Sequence, residues 1–175
     1  EKERSVGLGV MGFHSYLQKN NIPLESVMSK VWNKKIFKHI QEQVDQSSKD
    51  LADERGACPD AFDYGFNERF SNKTAIAPTA SISIICGGAS PGVEPVAANS
   101  YTHKTLSGSY NVRNRYLVEL LEKYGKNTEE VWSGITTNQG SVSHLGFLTN
   151  IEKDVFKTAF ELDQKWIIEL SGDRT

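Results

Sequence analysis

Apolar residues recur at helical spacing along much of this chain, and the pattern breaks most distinctly between Thr74 and Pro95. From Val6 to Asn20, glycines alternate with apolar residues, and Val6, Val10, Phe13 and Leu17 fall on one face, predicting a close-packed buried helix. Pro23 to Arg55 predicts a short helix followed by a long one, with a stripe of Leu24, Val27, Met28 and Val31 continued by Phe37, Ile40, Val44 and Leu51. Met28 and Trp32 are read as core. Gly56 stands where a left-handed cap belongs and Pro59 bars continuation, after which Phe62 to Phe70 reads as a loop pinned by its aromatic residues.

The second half is punctuated more sharply. Ala98 to Arg113 predicts two short strands or a hairpin-like excursion around Ser107-Gly108, with His103 and Lys104 on a solvated face. Tyr116 to Tyr124 predicts a helix stopped by Gly125, and Asn127-Thr128 opens another with Glu129 and Glu130 in the first turn, where negative charge is favourable. Gly140 to Asn150 is a loop. Asn150 then caps one amphipathic helix burying Ile151, Val155, Ala159, Leu162, Trp166 and Leu170.

The break itself carries the candidate chemistry. Thr74 to Ala77 reads as the end of a buried strand, and Pro78, lacking an N–H, stops its ladder. If a helix starts near Ser81, the amides that follow Thr79 are unpaired and converge with the positive end of the helix dipole, as in an anion cradle. Thr79, Ser81 and Ser83 would add hydroxyl donors. An ordinary helix start, with Thr79 or Ser81 as N-cap and no ligand, fits the same residues.

Composition narrows the field. The 175 residues are 38% hydrophobic and 24% charged, which suits a single soluble domain, and the net charge of −2 with scattered basic residues leaves no footprint for nucleic acid. No apolar run is long enough to span a bilayer, so a cytoplasmic location is expected. Cys58 and Cys86 form no metal-ligand spacing and both read as small buried hydrophobes. Gly7, Gly9 and Gly12 match a dinucleotide-binding fingerprint, but no apolar strand precedes them. The opening on charged residues without methionine suggests a fragment, a processed product or half of a split gene.

Five segments together carry a family resemblance: Arg4-Ser-Val-Gly-Leu-Gly-Val-Met-Gly-Phe-His-Ser-Tyr-Leu17, Arg55-Gly-Ala-Cys-Pro59, Asn72-Lys-Thr-Ala-Ile-Ala-Pro-Thr-Ala-Ser-Ile-Ser83, Gly92-Val-Glu-Pro95 and Tyr101-Thr-His-Lys-Thr-Leu-Ser-Gly-Ser109. In this order they resemble the C-terminal part of the catalytic barrel of the class I ribonucleotide reductase large subunit. The resemblance implies an α/β fold, with residues 1–175 forming a helix-rich part of a ten-stranded α/β barrel that needs a companion chain. It implies that Pro78, Thr79, Ala80, Ser81 and Ile82 hold the diphosphate of a ribonucleoside diphosphate, and leaves Glu94 as a structural carboxylate.

The departures from that family are equally specific. The Asn-x-Cys-x-Glu motif of the thiyl cysteine is absent, as are the redox cysteine pair and the paired tyrosines of radical transfer. The resemblance therefore implies no catalytic residue, metal or cofactor in this chain. Its assembly would include the rest of the large subunit, a radical-generating dimetal small subunit, a thioredoxin-type reductant and nucleotide effectors. An adenosylcobalamin-dependent reductase fragment and a non-catalytic nucleotide-binding or interaction remnant are the alternatives; Ala80-Ser81 and the Tyr101 to Thr105 stretch favour class I.

Overall fold

Ser26 sets the longest element in motion: its hydroxyl accepts the Ser29 N–H at 3.2 Å, and α2 runs from Val27 to Arg55 as one helix of 29 residues. The computed structural model describes residues 2–106 and 108–174. Around α2 stand α1 (Phe13–Lys19), α3 (Pro59–Asp63), α4 (Ala80–Ile85), the strands β1 (Ser100–Thr105) and β2 (Gly108–Arg113), α5 (Arg115–Lys123), α6 (Glu129–Thr137), α7 (Asn150–Val155) and α8 (Gln164–Gly172). Among the described residues no helix, α2 included, is long and apolar enough to cross a membrane.

The second half of the apolar stripe on α2 lies on its buried side, with Phe37, Ile40, Val44 and Leu51 half-buried and Phe37 packed against Phe13, but the first half does not. Leu24, ahead of the helix, is buried, but Val27, Met28 and Val31 are at least half exposed, and Trp32 is only partly covered. The fully buried residues of α2 are small or polar: Ser29, Asn33, Ser48 and Ala52, one turn or a small multiple apart. Each buried polar group there is satisfied, since Ser29 donates to the Leu24 carbonyl, Asn33 donates to the Leu170 carbonyl at 2.9 Å, and Ser48 Oγ accepts from Arg69 and Phe70. Gly56 does end α2 at positive φ, 80°, although its ψ of 149° is extended instead of left-handed helical. Pro59 then starts α3, and Phe62, Tyr64 and Phe66 are exposed, so of the loop's aromatic residues Phe70, half-buried and bonded through its N–H to Ser48 Oγ, is the one held against α2.

Two apolar cores result. Leu117, Leu121, Trp132, Ile135, Val142, Leu145, Leu148, Val155 and Phe156 close one core among α5, α6, the 138–149 loop and α7. Phe13, Leu17, Leu24, Leu162 and Leu170 form the other, between α1, α2 and α8. Arg174 seals its end: the guanidinium lies 4.7 Å from the Phe37 ring centre and 5.1 Å from that of Phe13, donating from Nε to Asn33 Oδ1. Asn99 joins the two cores, its side-chain amide donating to the carbonyls of Gly140 and Phe156 while its Oδ1 accepts from Asn114, which also binds Gln18.

The helices after the hairpin follow the local signals. Asn114 caps α5, Gly125 ends it at φ 63°, and Thr128 caps α6 with Glu129 and Glu130 in its first turn. The hairpin is antiparallel, pairing Ser100 with Arg113 and Thr105 with Gly108; Ser107 at its turn lies outside the described residues. The single helix expected from Asn150 is instead two. Thr149 supplies the cap, in a reciprocal box with Glu152, and α7 ends at Val155. The chain is diverted because Ala159 N–H pairs with the Val96 carbonyl and Glu161 binds the Thr158 backbone; Asp163 then caps α8 and Ile151 is exposed.

The N-terminal segment also departs from expectation. Val6 to Leu8 is extended, not helical, and pairs in parallel with Asn72 to Ala75 through Val6 N–H to Asn72 O, Leu8 N–H to Lys73 O and Ala75 N–H to Leu8 O. Gly7 permits this approach, for a Cβ there would lie 2.7 Å from Ala75 Cβ. Lys73 ties the ladder to α2 through Asp45 at 2.6 Å, with Glu68 on its other side. Thr74 to Ala77 is exposed, because among the described residues this ladder has two members and is left uncovered on its outer side.

Candidate anion-binding loop

Pro78 ends the parallel ladder, and the next residue turns the chain. Thr79 adopts φ 48° and ψ 27°, a left-handed conformation that costs a β-branched residue on the order of 1–3 kcal/mol. α4 begins at Ala80, one residue before the expected start. Its first backbone bond is Ser83 N–H to Thr79 O at 2.8 Å, so the amides of Ala80, Ser81 and Ile82 precede the ladder of the helix and have no acceptor among the described residues. Ala80, Ser81 and Ile82 are exposed to solvent.

The three hydroxyls expected at the loop divide into three roles. Ser81 is exposed at the head of α4 and available to a ligand. Ser83 is buried and donates back to the Ala80 carbonyl at 2.9 Å, which removes it from the cradle. Thr79 Oγ1 accepts the N–H of Gly92 at 2.7 Å. Sequence spacing gave all three alike, because a side chain's direction at a helix start depends on which tertiary partner it meets.

Gly92 belongs to a strap, residues 90–96, held against α1. Gly12 donates its N–H to Ser90 O at 2.9 Å, while Ser15 and Ser90 each donate a backbone N–H to the other's hydroxyl, at 3.2 and 2.8 Å. Val96 N–H donates to His14 Nδ1 at 3.1 Å. His14 is fully buried, and its Nε2 lies toward the Val155 carbonyl without meeting hydrogen-bond geometry. Burial pushes its pKa down to about 4, so the neutral ring accepts from Val96 at ordinary pH.

Other sequence candidates fall elsewhere. Glu94 is exposed in a turn closed by its own N–H on Pro91 O, and its carboxylate has no partner among the described residues, so it is not a structural carboxylate here. His103 and Lys104 lie in the hairpin, opposite Tyr110 and Ser109. Cys58 is buried as expected, but Cys86 is exposed at the end of α4, a surface helix too short to cover its own apolar residues; Ile82 and Ile85 are exposed with it. Among the described residues no three His, Cys, Asp or Glu side chains are grouped to hold a metal. Sequence reasoning missed Ser90, Ser15 and His14, whose roles arise from contacts 75 or more residues apart.

Comparison with known proteins places this geometry in context. The family described as ribonucleotide reductase, barrel domain, matches residues 1–69 and 61–175. A ribonucleoside-diphosphate reductase large subunit of Invertebrate iridescent virus 6 is 47% identical over 178 residues, covering 99% of this chain and 18% of the viral protein. Its counterpart in Invertebrate iridescent virus 3 is 45% identical over 98% of this chain and 28% of its own length. Among solved structures, the Actinobacillus ureae class Id ribonucleotide reductase alpha subunit superposes with a TM-score of 0.89 at 41% identity, over 99% of this chain and 31% of that one. The chain thus spans less than a third of the length of these relatives.

Proposed function

The chain belongs to the ribonucleotide reductase barrel-domain family, and on that premise we propose that it supplies the substrate-phosphate loop of a class I ribonucleoside-diphosphate reductase. Pro78, Thr79, Ala80, Ser81 and Ile82 form the loop, and the observation that carries the reading is the set of amides at the exposed residues Ala80, Ser81 and Ile82 that have no acceptor among the described residues. Three N–H donors and the Ser81 hydroxyl suit the oxygens of a diphosphate, with no lysine needed. The role is positional: fixing the phosphate end sets the ribose against a radical-bearing cysteine on another part of the large subunit, and such orientation contributes several kcal/mol to a barrier.

The rest of the reaction is assigned outside these residues. Neither cysteine here stands in the thiyl motif, so the reduction to a 2′-deoxyribonucleoside diphosphate takes place in an assembly with the remainder of the large subunit. That remainder covers the exposed outer faces of the ladder at Val6, Leu8 and Ile76. A small subunit with a dimetal centre supplies the radical, a thioredoxin-type protein restores the reducing thiols, and nucleotide effectors bind beyond this chain. The class I reading is favoured over the cobalamin-dependent one by the 41% identity to a class Id alpha subunit, against 32% to a vitamin B12-dependent relative from Thermoplasma acidophilum.

Combining the chain with the remaining large-subunit sequence and a small subunit, followed by an assay of CDP reduction, tests the proposal. Ser81→Glu places a carboxylate where the diphosphate sits and raises KM for CDP by about a hundredfold or abolishes turnover. An unchanged KM in a folded Ser81→Glu enzyme removes the loop from the site.

A further inference from the structure

We propose that Thr79 is a positioning residue, which acts on the loop by binding Gly92 and so transmits the fixed position of the 90–96 strap to the amides of Ala80, Ser81 and Ile82. The inference rests on the diphosphate reading of the loop and gives Thr79 a different task from the direct contact that its place in the motif suggests.

A left-handed β-branched residue persists only where its surroundings hold it. Among the described residues the partner of the Thr79 side chain is Gly92, whose N–H it accepts at 2.7 Å. Gly92 is itself special: it is buried at φ 49°, and a Cβ there would lie 2.8 Å from the Ala77 carbonyl oxygen. Only glycine brings an amide this close to the residues flanking Pro78 without displacing them.

The strap that carries Gly92 is anchored independently of the loop. Its partners are Gly12, His14 and Ser15, at the start of α1, and they hold Ser90 and Val96 on either side of Gly92. Phe13 beside them is in the second core. A continuous run of fixed groups therefore leads from that core through the strap to Thr79 and then to the three amides. Thr79 Oγ1 spends a lone pair on this contact and keeps its own proton. Serine at position 79 preserves the acceptor; valine preserves the shape and loses it.

The experiment uses the wild-type chain, Thr79→Val and Thr79→Ser, with amide hydrogen exchange at Gly92 and titration with inorganic pyrophosphate followed at the amides of Ala80 to Ile82. The same variants are assayed for CDP reduction in the assembled enzyme. Thr79→Val should expose the Gly92 amide to exchange and raise the pyrophosphate Kd and the CDP KM about five- to tenfold, with kcat changed less than about twofold. Thr79→Ser should stay near wild type in every readout. A folded Thr79→Val protein with wild-type affinity and KM overturns the positioning role and leaves the loop reading intact. So does a Thr79→Ser protein as impaired as Thr79→Val, which would trace the effect to the lost methyl. If the wild-type chain shows no pyrophosphate shift and Ser81→Glu leaves KM unchanged, the loop reading fails and this inference with it.

Discussion

The core around α5, α6 and α7 and the parallel ladder at Val6 to Leu8 are built from similar apolar residues, yet one closes on itself and the other does not. In the first, Leu117, Leu121, Ile135 and Val155 are wholly buried by neighbours that lie within 40 residues of one another. In the second, Val6 and Leu8 stay 47 and 52% exposed although their backbones are paired, and Ile76, just past the paired residues, is 71% exposed. The difference shows which part of the chain is a finished folding unit and which is one component of a larger layer. A helical core can be completed by local sequence, whereas a parallel ladder needs strands brought from elsewhere.

The largest expected effect breaks the closed side of the comparison. Trp132→Ala removes a side chain that is 2% exposed and hydrogen-bonded through Nε1 to Asn127 at 2.7 Å, and should destabilise the chain by about 3–5 kcal/mol in urea unfolding. A loss under about 1 kcal/mol would mean that this core is no better closed than the ladder.

A pH titration probes the boundary between the regions, where His14 joins α1 to the strap. Its folded pKa is lowered from 6.5 to about 4, so the neutral form is the one that folding favours. Stability is fully present above pH 6.5 and declines as the unfolded chain takes up the proton first, by about 3 kcal/mol on reaching pH 4. His14→Gln cannot titrate, and the difference between its pH–stability curve and that of the wild type should follow this window. Parallel curves between pH 6.5 and 4 would show that the His14 ring ionises freely in the folded chain.

The smallest effect belongs to the open side. Ile76→Ser alters a residue that is 71% exposed and should change the stability of this chain by less than about 0.5 kcal/mol, while weakening its association with the rest of the large subunit. Loss of several kcal/mol in the chain alone would show that the ladder is already covered.

The same contrast explains what could be read from residues alone. Thr128 with Glu129 and Glu130, and Gly125 after α5, act within a turn or two of chain, and the structure places both helix ends where the sequence put them. The interruption at Pro78 and the start of α4 were legible for the same reason. The buried face of the first turns of α2 was not, since burial of Ser29 and Asn33 depends on carbonyls at Leu24 and Leu170, and Val27 and Met28 look apolar whether or not anything covers them. Ser83 and Thr79 were indistinguishable from Ser81 as hydroxyl donors until Ala80 O and Gly92 N–H claimed them. The break between α7 and α8 was hidden because Val96, whose carbonyl diverts Ala159, lies 63 residues earlier in the numbering.

The close contact between Gly7 and Ala75 has a consequence for how such a chain must be produced. A two-membered ladder leaves an unpaired backbone rim on each outer side, and that rim is as receptive to a second copy of itself as to its intended neighbour. Homotypic sticking at that rim rises with the square of concentration, so self-association of the chain should be most pronounced where it is most concentrated.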